Sequence, residues 1–129
     1  MADFSDAEVP SIKPHVLIVE PDVVLLHMLA RVFEHSGYQT SKATTATEGQ
    51  VIIRHGKIDV VVIECLLPDR HRVDLPACAA KRSLPVILMS NGPRNSVTSR
   101  DKSHPFLAKP FHVSKLLKVV ANILVSTAT

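Results

Sequence analysis

The sequence predicts an α/β protein: a doubly wound sheet of five parallel strands with helices on both faces. Two observations lead there. Short apolar runs alternate with helical stretches along the chain, the pattern of β-α-β crossovers. The runs are nearly continuous in Val, Ile and Leu, which marks strands covered on both faces. The length, 129 residues, suits one such domain and no second one of ordinary size. Ligands of such folds sit outside the carboxyl ends of the strands, so chemistry is sought at those ends.

Residues 1–13 read as a flexible acidic leader, with Pro10 and Pro14 bracketing Ser11 to Lys13. The domain is expected over 14–125 and a short tail over 126–129. His15-Val16-Leu17-Ile18-Val19 is the first strand, ended by Glu20-Pro21-Asp22. Asp22 is a good N-cap for a helix whose apolar residues Leu25, Met28, Leu29, Val32 and Phe33 recur at helical spacing. Gly37 stops that helix, and a second strand is expected over Tyr38 to Lys42. Thr45 and Glu48 have the spacing of a capping box, so a short helix runs from there through Val51, Ile52 and Arg54 to Gly56. Ile58 to Ile63 is the strongest strand signal, rich in β-branched residues and terminating in Glu64-Cys65-Leu66-Leu67-Pro68. Asp74-Leu75-Pro76 caps and opens a short helix reaching about Arg82, and Pro85 to Met89 is the fourth strand. Residues 90–105 have no apolar stripe, so the fourth helix of the alternation is expected to be degenerate, a loop with one or two helical turns. Phe106-Leu107-Ala108 is a short fifth strand ended by Lys109-Pro110. A last helix is marked by Val113, Leu116, Leu117, Val120, Ile123 and Leu124.

Composition removes several functional classes. No apolar run exceeds four residues, so no membrane span is expected, and the acidic start is no secretory signal. Cys65 and Cys78 are too few for a disulfide framework or a four-cysteine zinc site and read as reduced thiols of a cytoplasmic protein. A carboxylate beside Cys65 disfavours a reactive thiolate. With no Trp, one Tyr and four Phe, there is no stacking platform for single-stranded nucleic acid. The four glycines form no phosphate-cradling loop, and there is no nucleophile elbow or DNA-reading helical motif. The seven histidines lack ligand spacing, and His27, His35, His55 and His71 read as solvated. The net charge of +3 is uneven: residues 1–69 carry ten acidic and five basic side chains, residues 70–129 two and ten. A basic surface on one half follows, with charge alone identifying no partner.

At the strand ends stand Glu20, Asp22, Glu64, Ser90 and Lys109. The segments Val16-Leu17-Ile18-Val19-Glu20, Val60-Val61-Val62-Ile63-Glu64 with Pro68 four residues on, Val86-Ile87-Leu88-Met89-Ser90 and Lys109-Pro110-Phe111 occur in register over residues 14–125. In these segments the chain resembles the receiver domain of bacterial two-component response regulators. The resemblance implies a flavodoxin-like sheet and a phosphoryl-accepting site. Two acidic residues after the first strand would help bind magnesium, and an aspartate ending the third would accept the phosphoryl group from a histidine kinase. A hydroxyl after the fourth and a lysine after the fifth would contact the phosphoryl oxygens, and an aromatic in the fifth would switch.

Carried over residue by residue, Ser90, Lys109 and Phe106 occupy the hydroxyl, lysine and switch-aromatic positions. Glu20 takes the first acidic position and Pro21 the second, while Glu64 replaces the acceptor aspartate. The glycine expected after Pro68 is absent, and Arg70-His71-Arg72 fills that loop.

The chemistry of those residues can be weighed separately. Glu20, Asp22 and Glu64 could form a weak Mg2+ site, although Asp22 is also wanted as a cap. The extra methylene of Glu64 moves its oxygen by roughly 1 Å, enough to slow phosphoryl transfer about 100-fold, and brings it to Lys109 as a resting ion pair.

The expected function is therefore a stand-alone, atypical receiver with a degenerate acceptor site, not an enzyme, acting by protein-protein interaction. Its partners would be a histidine kinase, a phosphotransferase or an effector, with a homodimer as the further assembly. They would meet Phe106 and the outer side of residues 112–125, where Lys115 and Lys118 lie, with Arg94, Arg100 and Lys102 in the loop just before it. The alternatives are a phosphorylatable, Mg2+-dependent receiver and a small flavin- or metabolite-binding enzyme on a flavodoxin-like fold. Non-specific nucleic-acid binding through the basic half would betray itself by steep salt dependence.

Overall fold

The computed structural model describes residues 12–91 and 104–128. Among them the elements run β1 (His15–Val19), α1 (Val23–His35), β2 (Gln39–Ala43), α2 (Ala46–His55), β3 (Val60–Glu64), α3 (Leu75–Lys81), β4 (Val86–Asn91), β5 (Phe106–Lys109) and α4 (Val113–Ala128). The strands form one parallel sheet in the order β2-β1-β3-β4-β5. The α/β class, the five parallel strands and the flavodoxin-like winding are as expected. Residues 92–103 of the stretch expected to hold the degenerate helix, and residues 1–11 of the leader expected over 1–13, lie outside the described residues.

The apolar strands form because both faces are covered. All five residues of β3 are buried. Side chains alternate between faces along each strand, so Val16, Ile18, Val60, Val62, Ile87, Met89 and Leu107 meet α1 and α4 through Leu26, Leu29, Phe33, Leu116 and Val120. The intervening Leu17, Val19, Val61, Ile63, Val86 and Leu88 meet α2 and α3 through Ala46, Ile53, Leu75 and Ala79. Gly49 lets α2 approach the sheet: a Cβ there would lie 2.9 Å from Leu75 Cδ2 and 3.2 Å from Val19 Cγ2.

Helix ends follow the capping rules with two informative departures. Asp22 Oδ1 accepts from the Val24 and Leu25 amides at 3.1 and 3.3 Å, and Asp74 Oδ1 accepts from Ala77. After α1 the chain turns through Gly37 at φ 95°, the left-handed region that glycine enters without steric cost. Tyr38 is a correction: it lies just before β2, with its ring edge-on to Phe33 at 5.5 Å. The capping box is half formed. Thr45 Oγ1 accepts from the Glu48 amide, but Glu48 reaches back to Thr44, accepting from its amide at 2.8 Å and its hydroxyl at 2.9 Å. Those bonds hold the Glu48 carboxyl below its ordinary pKa.

A cap invisible in local sequence completes α2. Asp69, in the β3–α3 loop, accepts from the Ala46 amide at 2.7 Å, the Thr47 amide at 2.8 Å and the Thr47 hydroxyl at 2.6 Å. Burial pushes the Asp69 carboxyl up, but these hydrogen bonds outweigh it and leave the pKa below the ordinary 3.8. Asp69→Ala is expected to cost about 1 kcal/mol, the usual cost of removing a capping side chain. Because the folded pKa is depressed, the stabilisation is present above 3.8 and fades as pH falls through the lower folded value. Chemical denaturation of both proteins from neutral to strongly acidic pH checks this; the gap between them should narrow only at the acidic end.

Other boundaries shift. β3 begins at Val60 rather than Ile58, since Asp59 turns its carboxylate to the His15 amide at 2.7 Å. β4 runs on to Asn91 because it pairs with Lys109 on β5. The expected tail at 126 is corrected: α4 continues to Ala128.

Candidate functional site

The carboxyl ends of β1, β3 and β5 bring three charged side chains together. Alternation explains why. Glu20 continues the face of Val16 and Ile18, Glu64 that of Val60 and Val62, and Lys109 that of Leu107. All three therefore lie on the α1/α4 side of the sheet. Register completes the match, because β1 and β4 both flank β3 and β5 pairs with β4.

Lys109 Nζ donates to Glu20 Oε1 at 2.6 Å and to Glu64 Oε1 at 2.5 Å. The remaining oxygens are also engaged: Glu20 Oε2 accepts from the Asp22 amide and Glu64 Oε2 from the Leu66 amide, both at 2.9 Å. Glu20 is 2% exposed and Glu64 5%, and the Lys109 side chain is 13% exposed. Burial alone would lower the Lys109 pKa, but its bonds to Glu20 and Glu64 more than offset this and raise it above 10.5. The cluster carries two carboxylates and one ammonium, an arrangement that a buried site tolerates because every charge is hydrogen-bonded. The Lys109-Pro110 peptide is cis.

The expected ion pair between Glu64 and Lys109 is present. What sequence reasoning missed is that Glu20 shares the same ammonium; its place at the end of β1, next to β3, was the available signal. Asp22 stands apart from the triad. Its side chain caps α1, and only its amide touches Glu20. Ser90 is 1% exposed and lies on the opposite strand face, two residues past Leu88. Phe106 is half-buried against the α2/α3 layer. On α4, Lys115 and Lys118 are exposed while Leu116 and Val120 face the sheet. Arg94, Arg100 and Lys102, expected beside them, lie outside the described residues.

The triad does not suit magnesium. That ion wants near-octahedral oxygens and usually one or two free carboxylates. The oxygen nearest the cluster centre on each glutamate is bound to Lys109, and Asp22 is committed elsewhere. No group of three His, Cys, Asp or Glu among the described residues is arranged to hold a metal ion. On its α1 side the site's surroundings are apolar. A cleft of about 290 Å³ between α1 and the β5–α4 connection is lined by Leu25, Met28, Leu29, Asn91, Phe111 and Val113 and reaches Lys109. Val23, Val24 and Leu66, which follow β1 and β3 at this end, are exposed, with Val24 at 80%. No helix among the described residues is long and apolar enough to cross a membrane.

Comparison with known proteins agrees with this frame. A family model described as the response regulator receiver domain matches residues 16–121. The Aerobic respiration control protein ArcA of Escherichia coli is 27% identical over 121 residues, covering 88% of this chain and 50% of ArcA. Protein PilH of Pseudomonas aeruginosa is 25% identical, covering 84% of this chain and 96% of PilH. The chain thus spans about half the length of ArcA and nearly all of PilH. Among solved structures, a CheY-like receiver domain protein from Methanospirillum hungatei superposes with a TM-score of 0.78 at 24% identity, covering 88% of this chain and 95% of that one. The non-phosphorylated HemR receiver domain from Leptospira biflexa superposes at 0.73 with 27% identity, covering 87% and 94%.

Proposed function

The chain belongs to the response regulator receiver domain family, and from that premise we propose that it is an atypical receiver acting by protein contact rather than by accepting a phosphoryl group. Receiver domains work in two-component signalling and interact with histidine kinases and phosphotransfer proteins. For this chain the partner class would be the same, or an effector of the pathway.

The observation that carries the reading is Glu64. Its two oxygens accept from Lys109 and from the Leu66 amide. An attacking carboxylate oxygen must be free to approach phosphorus in line, whereas Glu64 Oε1 is held against an ammonium at 2.5 Å. The lysine that would stabilise the phosphoryl oxygens is already neutralised by two carboxylates. Positioning supplies most of the rate in such transfers, so a displacement of about 1 Å alone costs roughly 100-fold. The resting geometry is thus kept by internal charge pairing, and the surrounding exposed Val23, Val24 and Leu66 offer a partner apolar area around a centre that keeps one net negative charge.

The test is intact-mass measurement after incubation with Mg2+ and acetyl phosphate, beside an aspartate-bearing receiver as positive control. No phosphoryl adduct is expected on this chain while the control is modified. A substantial adduct mapped to Glu64 would overturn the reading in favour of a phosphorylatable, Mg2+-dependent receiver.

A further inference from the structure

The disagreement between the triad and a magnesium site has a chemical consequence. We propose that the Lys109 ammonium is the resident cation of the Glu20/Glu64 carboxylate pair, so that the native protein takes no divalent cation there and removal of the lysine side chain creates a site that does. The proposal rests on the reading of the triad as internally paired, and its test can fail independently of phosphoryl transfer.

Three features support it. First, the ammonium sits between the two carboxylates, 2.6 and 2.5 Å from one oxygen of each. Two oxygens bonded to one nitrogen at those distances lie within roughly 5 Å of each other, so without the nitrogen they form a like-charge pair that demands a cation or a proton. Second, the charge balance leaves room for one cation only. With Lys109 the pair retains one net negative charge, and a dication added beside the lysine would turn a nearly dry site positive. A dication in place of the lysine would neutralise it. Third, the second oxygen of each glutamate is fixed by a backbone amide, that of Asp22 or Leu66. The carboxylates therefore keep their inward-facing oxygens directed at the centre when Lys109 is shortened. Two carboxylates with water completing the shell are the ordinary protein contribution to a Mg2+ site, and the cleft beside Lys109 gives water an entrance. Asp22 takes no part, because its carboxylate caps α1.

The experiment compares the native chain with Lys109→Ala. Amide NMR spectra are recorded with millimolar Mg2+ and with trace Mn2+, whose paramagnetism broadens signals near it; NaCl of matched ionic strength is the control. In the native protein the Glu20, Asp22, Glu64 and Leu66 amides are expected to stay unshifted and unbroadened. In Lys109→Ala the same amides should shift with Mg2+ and broaden with Mn2+, with Mg2+ affinity tighter by about tenfold or more. Its melting temperature should also rise with Mg2+ and not with NaCl. Site-specific Mg2+ binding by the native chain would overturn the proposal even if acetyl phosphate leaves Glu64 unmodified. So would a folded Lys109→Ala variant that ignores both ions. If Lys109→Ala is unfolded in metal-free buffer, Lys109→Gln replaces it, and the native-chain arm decides the first half alone.

Discussion

Lys109→Met is expected to lower the free energy of unfolding by about 3 kcal/mol, at the lower end of the range for removing one partner of a buried ion pair. The reason is what stays behind. Glu20 and Glu64 are 2% and 5% exposed, and without the ammonium both carboxylates face each other unneutralised. Adding Glu64→Gln to Lys109→Met removes one stranded charge, so the double variant should lose less than the sum of the singles, by about 1 kcal/mol or more. Chemical denaturation in metal-free buffer measures all four corners of the cycle, and strict additivity would refute the coupling. Because the folded Lys109 pKa is raised above 10.5, its contribution is fully present below that pH and is lost as pH rises through the higher folded value. On the alkaline side the gap between native chain and Lys109→Met should therefore close only in strongly alkaline solution.

Phe33→Ala is expected to cost about 4 kcal/mol, for a different reason. Phe33 is fully buried beneath α1 among Val16, Ile18, Leu29 and their neighbours. Truncation loses its transfer free energy and leaves a cavity that the sheet cannot collapse into. It also removes the edge-on contact with Tyr38 at 5.5 Å, a contact worth about 1 kcal/mol. Urea denaturation should show a lower midpoint at an unchanged slope. Val24→Ala on the same helix, 80% exposed, should stay within about 0.5 kcal/mol. If the two variants behaved alike, the assignment of the α1 faces would be wrong.

Local chemistry was legible where one segment contained its own reason. β3 announced itself because a strand covered on both faces must be apolar throughout, and Val60 to Ile63 is. Asp22 and Asp74 were legible as caps because a cap needs only a side chain two or three residues from its amides. Legibility failed one step further out. The capping-box spacing sends the Glu48 carboxylate back three residues to Thr45, but it reaches four residues back to the amide and hydroxyl of Thr44. Tyr38 reads as β-forming by type, but the left-handed turn at Gly37 sets it against Phe33 instead. The cap of α2 by Asp69 spans 22 to 23 residues, and nothing in either segment points to the other.

The same division runs through the functional site. The residues alone establish that this is a five-stranded α/β domain and that Glu20, Glu64 and Lys109 stand at strand ends, with a glutamate closing the third strand. Those conclusions follow from periodicity and from the termination of apolar runs, which are properties of contiguous residues. How the charges pair follows from the packing of the strands in space. Sheet order sets β1 beside β3 and β5 two strands away across β4, and strand alternation turns all three side chains to the α1/α4 face. One ammonium then serves two carboxylates, while Asp22, two residues from Glu20 in the chain, is drawn off to cap a helix. The physical reason is that a buried charge must find its partner in space, across elements that residue spacing along the chain cannot register.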